Sequence, residues 1–469
     1  MTVSLNNSDL NNTDYQRARL TRDARFDGLF FIAVKTTGIF CRPVCPVVPP
    51  LENNVEYFEH AALAAQAGYR PCLRCRPDSA PGSCAWRGTD TTFTRALALL
   101  EAGDLNSGGL PTLAARLGIG DRYLRRLFQE RLGMSPKAYA LFTQVMFAKK
   151  LLHETSLSVT DIADAAGFNS LRRFNDAFRK QLQMSPSAIR RSRKELPELK
   201  LSLAYRPPLN WSLMLDFWRK RCVRSIEWVN GDSYGRTFVL HNPAGDQARG
   251  YFEVCPAAVG HQLQLTVSID KPAFLKPLVN RVRQILDLDA DINQIEQQLG
   301  TAGFHSVLTP GLRIPGIWHP FEAGVRAILG QQVSVAAART HLERLVDALA
   351  EPLSSTGNLF PSPSAIAASD LSMLKMPASR RETLRCFAEW YCLHGEEKPV
   401  TDWLALKGIG PWTVDYVQMR ALGHTDIWLA SDLGVKKALA QLTEGAVFDS
   451  EALKPWRSYA TFHLWHYLG

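Results

Sequence analysis

Four cysteines within 35 residues constrain the fold of this chain more than any other feature. Three residues separate Cys41 from Cys45, and two separate Cys72 from Cys75. Zinc takes four ligands at tetrahedral corners, and each short cysteine turn supplies two of them. The spacing predicts a small domain folded around one Zn²⁺ ion. Taken alone, the pattern is more typical of a structural site than of a reactive one, so both roles stay open at this point.

Length and composition indicate several folded domains. The chain has 469 residues and is 46% hydrophobic, so we expect three or four domains. No apolar run reaches the roughly 18–20 residues that span a bilayer, and the N-terminus lacks a basic-then-apolar signal. Nine cysteines, four of them assigned as metal ligands, favour a reducing compartment over a disulfide framework. We therefore expect a cytoplasmic protein with no membrane partner.

An internal repeat lies in the second quarter of the chain. A seven-residue stretch beginning at Leu113 recurs 49 residues later, and Met-Ser-Pro at residues 134–136 recurs 50 residues later. Each copy predicts a helix, a glycine turn and a second helix opened by a polar cap. We assign the cap to Asp121 in the first copy and to Asn169 or Ser170 in the second. This order predicts two helix-turn-helix units, a DNA-binding arrangement.

Positive charge is concentrated in the same segment. Residues 84–195 hold 18 Lys and Arg against 10 Asp and Glu, close to the whole net charge of +9. The second helix of each unit has an apolar face and a basic face. The apolar faces are formed by Leu124, Leu127, Phe128, Phe174 and Phe178, and the basic faces by Arg122, Arg125, Arg126, Arg172, Arg173 and Arg179. An ordinary Arg-rich amphipathic helix is the alternative, but two copies with the same turn favour DNA phosphates as the partner.

Four domains follow from the changes of pattern along the chain. We place a cysteine-containing domain at residues 1–82, a basic helical domain at 84–195, an α+β subdomain at 199–305 and an all-α domain at 306–469. The third mixes alternating with helical apolar segments, and helical periodicity runs from about residue 310 onward. Pro-, Ser- and Arg-rich stretches between the domains predict linkers that let them move relative to one another.

The cysteine-containing domain resembles the N-terminal domain of the bacterial Ada family. Thr-Thr-Gly-Ile-Phe-Cys-Arg-Pro at residues 36–43 and Gly-Tyr-Arg-Pro-Cys-Leu-Arg-Cys at residues 68–75 carry the resemblance. It implies that Cys41 accepts a methyl group irreversibly from a methylated DNA phosphotriester, with the other three cysteines as remaining ligands. The chemistry agrees, because zinc deprotonates a coordinating thiol and the thiolate is the nucleophile. Methylation also removes one negative charge and so eases approach to DNA.

The twin helix-turn-helix segment resembles the AraC family of regulators. In that family two such units occupy successive major grooves. The resemblance implies that the side chains contacting DNA are Arg122, Arg125, Arg126, Arg172 and Arg173. An activator of this kind would also have RNA polymerase as a partner.

The C-terminal domain carries the strongest catalytic signal. Residues 406–413, Leu-Lys-Gly-Ile-Gly-Pro-Trp-Thr, form a helix-hairpin-helix motif. Gly408 and Gly410 allow a tight turn whose backbone N–H groups can hold a DNA phosphate, and Ile409 is predicted to pack between the helices. Asp432 follows Gly410 by 22 residues, an interval that resembles helix-hairpin-helix base-excision glycosylases. Asp432 alone would indicate a helix N-cap, which is compatible with a catalytic role.

From about residue 203 to residue 468 the chain resembles the AlkA family of 3-methyladenine DNA glycosylases II. Residues 205–208, 319–331 and 454–460 carry the match. The resemblance implies that Asp432 steadies an oxocarbenium-like sugar or activates water. It also implies a pocket for a flipped cationic base that is lined by Trp412, Tyr416, Trp465 and, more weakly, Phe217. Ordinary core packing is the alternative for each aromatic side chain.

Further residues refine this prediction. No lysine follows the hairpin where bifunctional lyases place one, and Lys407 precedes it, so we expect a monofunctional glycosylase without strand cleavage. Gln332 stands in the DNA-contacting loop where the best-known family member has a leucine that fills the gap left by the flipped base. A glutamine can fill that gap too, so the departure bears on flipping efficiency and substrate range and not on the reaction class. The cysteines interpreted as structural are Cys84, Cys222, Cys255, Cys386 and Cys392.

The sequence therefore predicts a multidomain α+β protein. Its parts are a small zinc-bound α/β sensor, an all-α twin helix-turn-helix domain, an α+β glycosylase subdomain and an all-α helix-hairpin-helix core. We expect a monomer with one Zn²⁺ and no organic cofactor, acting on alkylated and operator double-stranded DNA. Two alternatives stay open: a transcription regulator whose C-terminal half binds DNA without catalysis, and a glycosylase with a purely structural zinc domain.

Overall fold

The computed structural model describes most of the chain. The described residues are 12–72, 74–75, 77, 91–102, 105–190, 199–242, 245–353, 357–396, 398–442 and 448–468. Cys84 and most of the two predicted linkers lie outside them. None of the helices in these ranges combines the length and apolar character that crossing a membrane requires.

Residues 12–77, hereafter the cysteine domain, form a four-stranded sheet with two helices. Its elements are α1 (Asn12–Thr21), β1 (Phe31–Val34), β2 (Ile39–Cys41), β3 (Val55–Phe58), α2 (Ala61–Gln66) and β4 (Arg70–Pro71). The strand order is β3-β1-β2-β4, with β2 and β4 parallel and the other two pairings antiparallel. Because β2 ends at Cys41 and the backbone N–H of Cys72 donates to Phe40 O at 2.9 Å, the sheet brings the two cysteine pairs together.

Residues 91–190, hereafter the repeat domain, are helical. The elements are α3 (Thr91–Ala102), α4 (Leu105–Arg116), α5 (Asp121–Leu132), α6 (Pro136–Glu154), α7 (Val159–Ala165), α8 (Leu171–Leu182) and α9 (Pro186–Ile189). Gly118 and Gly167 turn the chain with φ of +70° and +81°, as the repeat predicts. Ser170 caps α8 by accepting from Arg173 N at 3.3 Å. The predicted cap at Asp121 is wrong: Gly120 is the N-cap, and Asp121 is the first residue of α5, where its charge still favours the helix start.

Residues 199–299, hereafter the sheet domain, contain a five-stranded antiparallel sheet and three helices. The elements are β5 (Leu199–Ala204), α10 (Trp211–Arg219), β6 (Glu227–Asn230), β7 (Ser233–His241), β8 (Gln247–Pro256), β9 (Gln262–Ile269), α11 (Leu275–Ile285) and α12 (Ile292–Leu299). The strand order β5-β9-β8-β7-β6 makes β5 an edge strand. Alternation of buried and partly exposed residues in β8 and β9 places one face of the sheet against the core.

Residues 300–468, hereafter the hairpin domain, are mainly helical. The elements are α13 (Pro320–Gly330), α14 (Val335–Leu349), β10 (Pro352–Leu353), β11 (Gly357–Asn358), α15 (Pro363–Ala367), α16 (Ala378–His394), α17 (Pro411–Arg420), α18 (Leu433–Leu442) and α19 (Arg457–Tyr467). The two-residue strands β10 and β11 interrupt the helical pattern that the sequence predicts from residue 310 onward. The two strands pair with each other, and Asn358 N donates to Ser225 O at 2.6 Å, a contact with the sheet domain that periodicity cannot reveal.

The repeat domain and the sheet domain share one hydrophobic core. A continuous cluster of buried side chains runs from Phe93 in α3 through Leu201 in β5 and Leu275 in α11 to Trp318. The prediction that linkers let these parts move independently is therefore not met, because the composition of a linker carries no information about the surfaces it connects. Two further clusters lie mainly in the hairpin domain, and both include side chains of the sheet domain, such as Ile226 in one and Ile292 in the other.

Candidate active site and metal centre

A cleft of about 1200 Å³ lies where the sheet domain meets the hairpin domain. One wall comes from α10, the end of α13 and the start of α14, and the other comes from the hairpin, α17, α18 and the end of α19. The structure brings together here the eight residues that the sequence assigned to the glycosylase site. They are Phe217, Gln332, Gly408, Gly410, Trp412, Tyr416, Asp432 and Trp465.

Three donors hold the carboxylate of Asp432 on the cleft wall. Oδ2 accepts from Trp412 Nε1 at 3.1 Å, and Oδ1 accepts from Trp465 Nε1 at 2.9 Å. Oδ1 also accepts from the backbone N–H of Val435 at 3.0 Å, so Asp432 caps the first turn of α18 as well. The side chain is half-buried and fixed in orientation. A carboxylate held in this way can stabilise positive charge that develops beside it without reorganising.

Aromatic rings line the cleft beside this carboxylate. Trp412 and Tyr416 stack at 5.2 Å between centroids with 19° between planes, and Trp465 packs edge-on against Phe462 at 5.0 Å. Trp412, Tyr416 and Trp465 are only partly buried. Each of these three side chains packs against the core on one side and lines the cleft on the other.

Two guanidinium groups lie against Phe217. The Cζ atoms of Arg221 and Arg420 are 3.8 and 4.8 Å from the centroid of its ring. Burial, followed by the charge of Arg420, lowers the pKa of Arg221 to about 10, so Arg221 stays charged at neutral pH. The ring of Phe217 thus contacts guanidinium groups of the protein itself. Arg420 follows Trp412 and Tyr416 at helical spacing, a signal that could have identified it from the sequence.

A buried ion network fixes the floor of the cleft across the domain boundary. Arg236 of β7 bonds Glu322 of α13 at 2.8 Å, and Arg326 bonds both Glu322 at 2.7 Å and Glu227 of β6 at 2.6 Å. Burial alone would raise the pKa of Glu322, but Arg236 and Arg326 outweigh it and lower this pKa to about 2. Because every charge has an opposite partner, the network joins the two domains without an uncompensated buried ion.

The hairpin is built as the sequence predicts. Gly408 has φ of +90°, and a Cβ atom there would lie 2.2 Å from Thr383 Oγ1, so only glycine fits. Ile409 is buried between the helices. Gln331 Nε2 donates to Gly408 O at 3.0 Å and thereby ties the loop after α13 to the hairpin. Sequence reasoning missed Gln331, because the two segments are 77 residues apart.

Gln332 stands at the rim of the cleft. It is exposed and has φ of +57°, a left-handed conformation that is uncommon for a residue with a side chain. Its neighbour Gln331 is bonded to the hairpin, and Ser334 caps α14 by accepting from Ala337 N at 3.2 Å. The loop is therefore fixed on both sides of Gln332, and its side chain points away from the core.

The four sulfurs of the cysteine domain form a second site. The Sγ atoms of Cys41, Cys45, Cys72 and Cys75 lie within 4.8 Å of one another, and all four residues are buried. This donor set fits zinc in its charge and chemistry, since backbone N–H groups of Arg42 and Arg74 donate to Cys75 Sγ and Cys72 Sγ, each at 3.3 Å. Such bonds stabilise thiolates, which the ligands of a zinc site must be.

The basic side chains predicted for DNA contact are solvent-exposed. In α5, Leu124, Leu127 and Phe128 are buried; in α8, Phe174 and Phe178 are buried. The arginines on the opposite faces, Arg122, Arg125, Arg126, Arg172, Arg173 and Arg179, are exposed. Arg125 and Arg126 pair only loosely with acidic neighbours, at 3.7 Å each. The second helices therefore present cationic surfaces that phosphates can reach.

Comparisons with known proteins match each part of the chain. The metal binding domain of Ada matches residues 14–78, a helix-turn-helix domain matches 113–192, and the AlkA N-terminal domain matches 200–319. The probable bifunctional transcriptional activator/DNA repair enzyme AlkA of Mycobacterium tuberculosis is 36% identical over 96% of this chain and 95% of its own length. The chain belongs to this family of bifunctional AlkA proteins.

Relatives of the bifunctional AlkA family cover the two halves separately. DNA-3-methyladenine glycosylase 2 of Escherichia coli is 32% identical over 56% of this chain and 96% of its own length. The bifunctional transcriptional activator/DNA repair enzyme Ada of Escherichia coli is 41% identical over 27% of this chain and 35% of its own length. The predicted resemblances, the fold class and a four-cysteine zinc site are thereby confirmed. The joining of an Ada-type regulator to an AlkA-type glycosylase domain is confirmed as well.

Proposed function

We propose that this bifunctional AlkA protein releases alkylated bases from DNA by hydrolysis of the N-glycosidic bond. The position of Asp432 carries the proposal. Its carboxylate is held by two indole N–H groups and a helix N-terminus on the wall of a cleft that the DNA-binding hairpin borders. An alkylated purine is cationic and already a good leaving group. The protein therefore has to flip the nucleotide, stack the base on Trp412 or Tyr416, and stabilise the positive charge that develops on the sugar.

Release of free base from methylated duplex DNA tests this proposal. We expect free 3-methyladenine in the supernatant by chromatography, and DNA strands that stay intact until the abasic sites are cleaved by hot alkali. The intact strands follow from the lack of a lysine after the hairpin, where Trp412 and Thr413 stand. A borohydride-trapped protein–DNA adduct would contradict the monofunctional mechanism. No release of base would leave the alternative of a non-catalytic DNA-binding half.

We also propose that Cys41 accepts a methyl group from a DNA phosphotriester. When bound, zinc keeps the sulfurs deprotonated and electron-rich. A lone pair of Cys41 Sγ forms the new S–C bond while the C–O bond of the methyl ester breaks, which leaves a phosphodiester anion. Backbone N–H groups donate to Cys75 Sγ and Cys72 Sγ, each at 3.3 Å. A sulfur that accepts such a bond is the weaker nucleophile, and the Ada-like stretch at residues 36–43 favours Cys41 as the acceptor.

The exposed arginines support a role for the repeat domain in binding operator DNA. Arg122, Arg125 and Arg126 would contact one major groove, and Arg172 and Arg173 the next. We further propose a monomer that contacts RNA polymerase as an activator, and a location in the DNA-containing cytoplasm. Support for activation comes from the Mycobacterium tuberculosis relative, which is named as a probable bifunctional transcriptional activator. With this division of roles we propose four domains, at residues 1–82, 84–195, 199–305 and 306–469.

The two hairpin glycines are expected to respond differently to alanine. Gly408→Ala forces a Cβ atom to within 2.2 Å of Thr383 Oγ1 at φ of +90°, so we expect a loss of about 1–3 kcal/mol in the stability of the hairpin domain. Gly410→Ala adds a Cβ atom with nothing within 4 Å, so it should keep that stability and weaken only DNA binding. Thermal unfolding and a DNA titration measure the two effects. Equal melting temperatures for both variants would contradict the steric argument.

Gln332 is expected to fill the space that a flipped nucleotide leaves. We expect Gln332→Ala to slow single-turnover base release on the order of tenfold at saturating protein, while Gln332→Leu restores most of the rate because it restores volume. The control is Gln331→Met, which keeps length but removes the bond to Gly408 O and should weaken DNA binding as well. An unchanged rate in Gln332→Ala would show that this side chain does not enter the duplex.

A further inference from the structure

Helix α6 touches the cysteine domain and the sheet domain with neighbouring residues. Lys149 is completely buried, and its Nζ donates to Cys72 O at 3.4 Å. Lys150 is also buried, and its Nζ donates to Ser202 O of β5 at 2.6 Å. Lysine ammonium groups are buried only where other groups compensate the loss of water. Two consecutive buried lysines that contact different domains therefore indicate that α6 packs specifically against both domains.

The contact with β5 involves both backbone groups of one residue. Ser202 O accepts from Lys150, and Ser202 N donates to Glu154 Oε2 at 2.8 Å. Because β5 is an edge strand, the outward N–H and C=O groups of Ser202 have no neighbouring strand. Lys150 and Glu154 are four residues apart on α6 and so lie on one face of the helix. The helix covers the sheet edge with a matched donor and acceptor.

A second route joins the cysteine domain to the sheet domain directly. Arg206, which is completely buried, donates through Nε to Asp27 O at 2.9 Å. The carboxylate of Asp27 pairs with Arg42, whose Nε lies 2.8 Å from Asp27 Oδ1. The backbone N–H of Arg42 donates to Cys75 Sγ, and its Nη1 donates to Cys75 O at 3.2 Å. Three consecutive hydrogen-bonded contacts thus connect a metal-ligating sulfur to the sheet domain.

Arg206, the sheet-domain residue in this series of contacts, is connected in turn to the cleft. Arg313 Nη2 donates to Arg206 O at 2.6 Å, and Asn210, four residues after Arg206, caps α10 by accepting from Leu213 N at 3.2 Å. Helix α10 carries Phe217, which lines the cleft. Strand β5 and the segment after it therefore lie between the cysteine cluster and the glycosylase site.

We infer that the state of the cysteine cluster is transmitted to the glycosylase half through the contacts of α6 with β5 and of Arg206 with Asp27. Four thiolates and Zn²⁺ carry a net charge of −2, which attracts the cations of Lys149 and Arg42. A change of metal or of methylation changes that charge and loosens both contacts. The inference that this link affects base release rests on the proposed function. The link between the cysteine cluster and β5 can be tested without measuring catalysis.

Amide hydrogen exchange in the full-length protein tests the link. The Ser202 amide is a direct reporter, since its N–H is bonded to Glu154. We expect removal of zinc by a chelator to speed exchange of Ser202 about tenfold, the equivalent of one hydrogen bond. Phe252 on the central strand β8 should stay protected, which shows that the sheet domain is still folded. An unchanged Ser202 amide while the cysteine domain itself exchanges faster would overturn the inference.

Variants on α6 distinguish this link from a general loss of stability of the protein. Glu154→Ala removes the acceptor of the Ser202 amide, so this amide should exchange fast in the zinc-loaded protein and be insensitive to the chelator. Lys137→Met, on the exposed side of the same helix, should behave like the unaltered chain. Lys150→Met, which removes the donor to Ser202 O, provides a second test at the same contact if Glu154→Ala does not fold. A response of Ser202 in a protein that releases no base would refute the proposed activity and leave the contact standing.

Discussion

Asp432→Asn is expected to lower the rate of base release by about 10²–10³-fold, the scale seen when a preorganised electrostatic group is removed. The asparagine keeps the shape of the side chain and loses its charge. It also presents an NH₂ group to one of two indole donors, at Trp412 Nε1 or Trp465 Nε1, where the carboxylate accepts from both. The rate is best measured as single-turnover release of 7-methylguanine at saturating protein, which removes differences in DNA affinity.

A matched control separates the charge of Asp432 from its hydrogen bonds. Trp412→Phe removes the indole donor to Asp432 Oδ2, keeps a ring to stack on Tyr416 and leaves the carboxylate in place. We expect this variant to lose only about tenfold in rate, the scale of one hydrogen bond. If both variants retain the full rate while still binding DNA, Asp432 has no part in the chemistry and serves only as the cap of α18.

Cys41→Ser is expected to abolish methyl transfer completely. Unaltered zinc-loaded protein exposed to DNA with methyl phosphotriesters should gain the mass of one methyl group, and peptide mass spectrometry should place it on Cys41. A serine hydroxyl at this position is neither a good zinc ligand nor a nucleophile at neutral pH, so no peptide should carry the methyl group. Base release should continue in this variant, because Asp432 lies in another domain.

The other cysteines provide the comparison for this result. The four side chains are all buried, with 6–8% of their surface exposed, so accessibility does not single out Cys41. The distinction rests on the Ada-like sequence around Cys41 and on the backbone donors that reach Cys72 and Cys75. A methyl group on Cys45, Cys72 or Cys75 would contradict the assignment of the acceptor. No methyl on any of them, with zinc bound, would leave a structural zinc domain.

Most of the fold and the metal centre could be predicted from local sequence patterns. The cysteine spacing, the repeated glycine turns at Gly118 and Gly167, and the hairpin glycines each express a constraint within a few residues, and the structure places all of them as expected. The aromatic and acidic residues of the cleft were identified through a family resemblance that extends over the C-terminal half. Their exact partners, such as two indoles on one carboxylate, depend on side-chain geometry that spacing does not encode.

Long-range contacts escaped prediction for a physical reason. Arg221 and Arg420 meet at Phe217 only after α10 and α17 pack together. The contacts of Lys149 and Lys150 depend on three domains at once. A buried lysine and a surface lysine are identical in a sequence, and α6 contains both kinds. Such contacts depend on how well the surfaces of the domains fit together. The charged and small residues of a linker do not reveal whether they do.

The shared core of the repeat and sheet domains has a consequence for how the protein reads damage along a duplex. Parts that are packed together keep a fixed separation, so the cleft and the recognition helices meet DNA at a fixed offset. A duplex presents the same face only once per helical turn, about every 10 base pairs. A lesion and an operator site should therefore be engaged in a single encounter only when their spacing matches that offset, and the efficiency should rise and fall with the helical repeat.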